Sequence, residues 1–152
     1  MLDRLEFVPF LIRAKRATYA SGAPSGASSR PGSFDLHYQE RAFLYIDTYL
    51  GSRDFIGEEA VWHQNIPIWG MNYHGVMLVN NIPEGFGEIL HAALSAVTAE
   101  APYRGPSELH VGSFCYRCTW QGDIERFTGS ERIEHKDQVI YELVFHGGKI
   151  NS

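Results

Sequence analysis

Apolar positions along the chain recur first at a helical spacing and then in alternation. Phe7, Phe10, Leu11 and Ala14 fall at i, i+3, i+4 and i+7, which predicts a helix over Leu5 to about Tyr19. Arg13 and Arg16 lie off that stripe, and Arg13, Lys15 and Arg16 read as a solvated helix face rather than an anion patch. Residues 20–33, "ASGAPSGASSRPGS", read as a flexible loop, either disordered or a flap over a cleft. Its glycines match neither the P-loop nor the dinucleotide pattern.

Alternation then predicts strands at "FDLHY", "RAFLYIDTYLG", "DFIGEEAVWHQ" and "IPIWGMNYHGVMLV". A second helix follows, with Phe86, Ile89, Leu90, Ala93, Leu94 and Val97 at helical spacing, Pro83 and Glu84 at its start and Pro102 beyond its end. Three more strands are read in "LHVGSFCYRCTWQG", "DIERFTGSERIEH" and "QVIYELVFHGG".

The two strand sets share a phrase. Tyr45, Thr48 and Gly51 align with Tyr116, Thr119 and Gly122. After one inserted residue, Phe55, Gly57, Glu59, His63, Ile68, His74 and Gly75 align with Phe127, Gly129, Glu131, His135, Ile140, His146 and Gly147. These ten identities stand against roughly two expected by chance for average composition. The inference is a helix-plus-three-strand unit written twice, with copies at about 43–79 and 114–147 of one domain spanning 1–152. Two units are too few for a solenoid, so they are expected to pair about a pseudo-twofold axis. The expected fold is α+β, a largely antiparallel curved sheet or half-barrel with two helices on one face.

Strand alternation places Phe55, Gly57, Glu59, Val61 and His63 on one side, and likewise Phe127, Gly129, Glu131, Ile133 and His135. A carboxylate on an apolar face must find a partner or shift its pKa. Either each glutamate is satisfied internally, by Tyr, Thr, backbone N–H or an arginine such as Arg104 or Arg117, or both face a cleft. That cleft would be lined by Tyr45, Tyr49, Trp69, Tyr116, Trp120 and Tyr141. An aromatic cleft with carboxylates is the composition of a receptor for a cationic or amine-bearing organic molecule.

Metal and nucleophile chemistry find less support. Glu59 and His63 stand about 13 Å apart along one strand, too far to share an ion. Cys115 and Cys118 lie in a strand and point to opposite faces, which leaves two structural thiols. His37, His91 and His110 show no pattern, no serine sits in G-x-S-x-G, and no metal or cofactor is expected.

Composition narrows the partners. With 13 basic against 18 acidic residues the formal charge is −5, the wrong sign for a protein that lives on nucleic acid. No apolar run is long enough to span a bilayer, and acids and bases interrupt the start "MLDRLEFVPFLIRAKR", so a cytoplasmic protein without membrane attachment is expected.

The phrases "FLIRAKRATYA", "YIDTYLGSRDFIGEE", "PIWGMNYHG", "APYRGP" and "YELVFHGGKI" resemble the uncharacterised bacterial family called domain of unknown function 5680 over nearly the whole chain. The resemblance implies a domain found alone or behind a helix-turn-helix segment in regulators, with no established activity. No such segment is expected before Leu5, so a regulatory role would need a separate partner or none. A fold-level analogy, without a shared motif, links the duplicated unit to effector-binding domains with a pseudo-twofold cleft. The leading expectation is an effector-type domain holding a small organic ligand between its halves through Glu59, Glu131 and the six aromatic residues. The alternatives are a hydrolase or metal-dependent enzyme using Glu59 or Glu131, and a homodimeric interaction module.

Overall fold

The computed structural model describes residues 4–21 and 27–151. Helix α1 (Arg4–Ser21) is followed by strands β1 (Phe34–Glu40), β2 (Phe43–Gly51), β3 (Phe55–His63) and β4 (Ile66–Met77). Helix α2 (Phe86–Ser95) precedes β5 (Glu108–Val111), β6 (Phe114–Asp123), β7 (Arg126–His135) and β8 (Gln138–Lys149). All eight strands form one open antiparallel sheet in the order β1-β2-β3-β4-β8-β7-β6-β5. The fold is therefore α+β and mainly sheet. Among the described residues no helix is long and apolar enough to cross a membrane.

Each meander has four strands, one more than the three-strand unit that the aligned phrases suggested. The fourth in each, β1, which was read at "FDLHY", and β5, lies at an edge of the sheet and outside the aligned phrases. "LHVGSFCYRCTWQG" is two strands, because Gly112 takes a positive φ of 58° and turns the chain back into β6. The β3–β4 and β7–β8 hairpins are closed by Gln64-Asn65 and Lys136-Asp137, all four with φ between 50° and 66°. Paired positive φ values are the signature of the turn whose twist matches flanking strands. Each hairpin also carries a register shift, at Val61/Trp62 and at Ile133/Glu134.

The predicted stripe of α1 is buried, with Phe7 against Trp69 at 5.9 Å and Phe10 stacked on Phe43 at 4.9 Å. From α2, Ile89 and Ala93 enter the same core and Phe86 meets Tyr141 edge-on at 5.3 Å. Of the expected loop, positions 22–26 lie outside the described residues. Ser28 and Ser33 hydrogen-bond at 2.8 Å, and the Ser29 N–H donates to the buried Asp35 carboxylate at 3.1 Å.

The glycine of "F-x-G-x-E" has a steric purpose in both meanders. Gly57 is paired with Tyr73 and Gly129 with Phe145, and each aromatic ring lies across its glycine. A Cβ on Gly129 would collide with the Phe145 ring and stand 2.6 Å from the Thr119 carbonyl oxygen, and one on Gly57 would collide with the Tyr73 ring. Gly129→Ala is expected to destabilise the fold by about 1–3 kcal/mol, as overpacking does. Urea denaturation measures it, and an unchanged midpoint would refute the close approach.

Candidate functional site

Both glutamates of the repeated phrase are buried and ion-paired. The Lys15 ammonium of α1 donates to Glu59 Oε2, and also to the Tyr103 carbonyl at 2.7 Å. The Tyr19 hydroxyl donates to Glu59 Oε1 at 3.4 Å. On the other side, the Arg104 guanidinium, in the connection after α2, grips Glu131 at two points, 2.7 and 3.2 Å. The Tyr116 and Tyr141 hydroxyls also donate to Glu131, at 2.5 and 2.9 Å. Tyr116 in turn accepts the Gly105 N–H at 2.8 Å. Each carboxylate thus holds a segment that packs on the sheet: α1 through Lys15, and the 103–105 connection through Arg104.

Burial pulls Lys15 below the ordinary ammonium value, opposed by Glu59. Burial would also lower Arg104, but Glu131 and the surrounding tyrosines outweigh it and hold its pKa well above the usual value. Burial, reinforced by Glu131, likewise raises Tyr116 and Tyr141 well above the ordinary phenol range.

A third carboxylate, Asp47, is in no ion pair among the described residues. Its β2 register places it opposite Glu59, and Tyr73, from β4, donates to Asp47 Oδ1 at 2.6 Å. Burial, with the Glu59 charge beside it, raises Asp47 to about 7, against the Tyr73 hydrogen bond and the more distant Lys15 and Arg104. Asp47 lines a cavity of about 460 Å³, within the usual range for small-molecule sites. Thr18, Tyr19, Tyr73 and Arg104 supply its other polar groups, while Leu36, Tyr49, Leu90 and Leu94 supply apolar wall. Arg104 also lies over the Tyr73 ring, 5.3 Å from its centroid.

The cavity is lined by residues of the first meander together with Thr18 and Tyr19 of α1 and Leu90 and Leu94 of α2. Of the aromatic residues expected at a cleft, Tyr49 lines it, while Tyr45, Trp69, Tyr116 and Tyr141 are fully buried in the core. Trp120 is partly buried, edge-on to Tyr103 at 6.5 Å. The Tyr45 hydroxyl is buried without a hydrogen-bond partner among the described residues, whereas its counterpart Tyr116 bonds Glu131.

Three participants escaped the sequence reading. Lys15 is wholly buried, not solvated, because it lies four residues after Leu11 and three before the buried Thr18, which widens the apolar stripe of α1. Asp47 falls between Tyr45 and Tyr49 at the period of two that put both tyrosines inward, so alternation alone places it on the same face. Tyr73 shares that phase on β4 with Trp69 and Met71.

An open antiparallel sheet with two helices, an ion-paired inner face and a cavity beside an unpaired carboxylate defines a mainly-sheet α+β domain. A family model described as Domain of unknown function (DUF5680) matches residues 47–150, and the chain belongs to that family. The matched stretch begins at Asp47 and leaves out α1, with its Lys15, Thr18 and Tyr19. No curated protein and no solved structure matches the chain.

Proposed function

We propose that this chain is an effector-type binding domain that takes an amine-bearing organic molecule in the cavity at Asp47. The observation that carries the reading is a carboxylate left without a cation at the wall of an apolar cavity. A ligand ammonium would supply the missing charge, and its hydrocarbon or aromatic body would lie against Tyr49, Leu90 and Leu94. Glu59 and Glu131 act from behind the wall: their oxygens are taken by Lys15 and Arg104, and they hold α1 and Arg104 in place.

The meanders are, on this reading, two copies of one unit with both helices packed on one face. Support comes from the matched hairpin turns, the matched register shifts and the ring-over-glycine pairs. The copies differ where binding requires it. Asp47 corresponds to Cys118 and Tyr73 to Phe145, so the second copy lacks the carboxylate and the hydroxyl that orients it. There Tyr103 stacks on Phe127 at 4.0 Å. The glutamate kept in both copies belongs to the scaffold, and the aspartate found in one belongs to the site.

A second reading, an enzyme using Asp47 as general acid or base, is favoured by its pKa near neutrality. A thermal-shift series separates the readings, comparing primary and quaternary aryl-alkyl amines with neutral isosteres on wild type and Asp47→Asn. Amines should raise the melting temperature, by the equivalent of about 2.7 kcal/mol at a hundredfold excess over Kd. Neutral isosteres should not, and Asp47→Asn should lose the response. Equal shifts by amines and isosteres would contradict the binding reading. Turnover of a ligand that Asp47→Asn abolishes would favour the enzyme.

A further inference from the structure

We propose a thiophilic divalent-metal site, of the zinc class, on the β5–β6 edge hairpin, formed by Glu108, His110 and Cys115. The register sets His110 directly opposite Cys115, and Glu108, two residues from His110, shares its face. His110 Nε2 stands 2.7 Å from Glu108 Oε1 and 3.8 Å from Cys115 Sγ, and the three donor atoms all lie within 4.8 Å of one another. A tetrahedral ion with Zn–S of about 2.3 Å and Zn–N and Zn–O of about 2.0 Å separates S from N by about 3.6 Å and N from O by about 3.3 Å. The N–O separation is about 0.6 Å shorter and the S–N separation about 0.2 Å longer than those, movements open to side chains as exposed as Glu108 and His110.

The chemistry of the set is specific. Sulfur, imidazole and carboxylate together suit zinc or cobalt(II) and not the hard cations, which take oxygen alone. Both cysteines are free, and Cys118 is turned into the core, so Cys115 is the thiol available on this face. Arg117 pairs with the other Glu108 oxygen at 2.7 Å, which orients Oε1 toward the imidazole. On binding, the ion takes the place of the hydrogen between Nε2 and Oε1, the neutral imidazole then carrying its proton on Nδ1, and the Cys115 thiol releases its proton to solvent. Three protein ligands leave a fourth position for water or an incoming donor. The site lies on an edge hairpin, and its residues are not among those lining the Asp47 cavity.

The test is titration of the purified reduced protein with cobalt(II), read by the thiolate-to-cobalt charge-transfer absorption, and with zinc against a chromophoric chelator. One equivalent should bind with a thiolate band. Cys115→Ser should abolish the band, His110→Ala should weaken binding at least about tenfold, and Cys118→Ala should leave both unchanged. Circular dichroism establishes that each variant is folded. No band in wild type, a band that survives Cys115→Ser, or unchanged affinity in His110→Ala would overturn the site.

Discussion

Glu131→Ala is expected to destabilise the protein by about 3–5 kcal/mol, because it leaves the Arg104 guanidinium buried with no carboxylate. Two tyrosine hydroxyls would lose their acceptor in the same step. Against a typical total stability of about 5–15 kcal/mol, this is a large fraction. Replacing both partners together, Glu131→Leu with Arg104→Met, should be much milder, since two desolvated charges then vanish rather than one. Urea denaturation of the single and double variants decides the matter. A double variant no more stable than Glu131→Ala would contradict the ion-pair account.

The second large effect is on pH dependence. Asp47 has a folded pKa of about 7 against an ordinary 3.8. Between those values the folded chain holds a proton that the unfolded chain has shed, so stability falls as pH rises across that interval and levels off above it. A difference of this size corresponds to about 4 kcal/mol. Asp47→Asn, which stays neutral, should lose this decline and exceed wild type in stability at pH 8. Glu40, Glu108 and Asp123, held low by Arg13, His110 and Arg4 respectively, act in the opposite sense and only in the acid range. Comparing wild type with Asp47→Asn at pH 5 and pH 8 isolates the contribution of this carboxyl. Parallel curves would refute it.

Both helices and most strands were legible because burial on one face imposes a period of 3.6 or 2 on the sequence. The hairpin β5–β6 was not, since four residues before a two-residue turn give too little alternation to separate from the strand that follows. Glu59 and Glu131 were legible as an anomaly, and one of the partners considered, Arg104, is the actual partner of Glu131. Lys15 was misread because a lysine is far more often solvated than buried, and only a carboxylate 44 positions away reverses that preference. Asp47 stands two positions from Tyr45 and is not repeated: the position that aligns with it is Cys118, a difference that draws less notice than the glutamate present at both Glu59 and Glu131. The metal ligands became visible only with strand pairing, which brings a histidine with no sequence pattern opposite a cysteine.

The most direct test of the account is a carbon-detected NMR titration of the Asp47 carboxyl in labelled protein, without and with a saturating aryl-alkyl amine. A midpoint near 7 is expected in the free protein, with a clear fall on amine binding. A midpoint in the ordinary carboxylate range, unmoved by any amine, would contradict it.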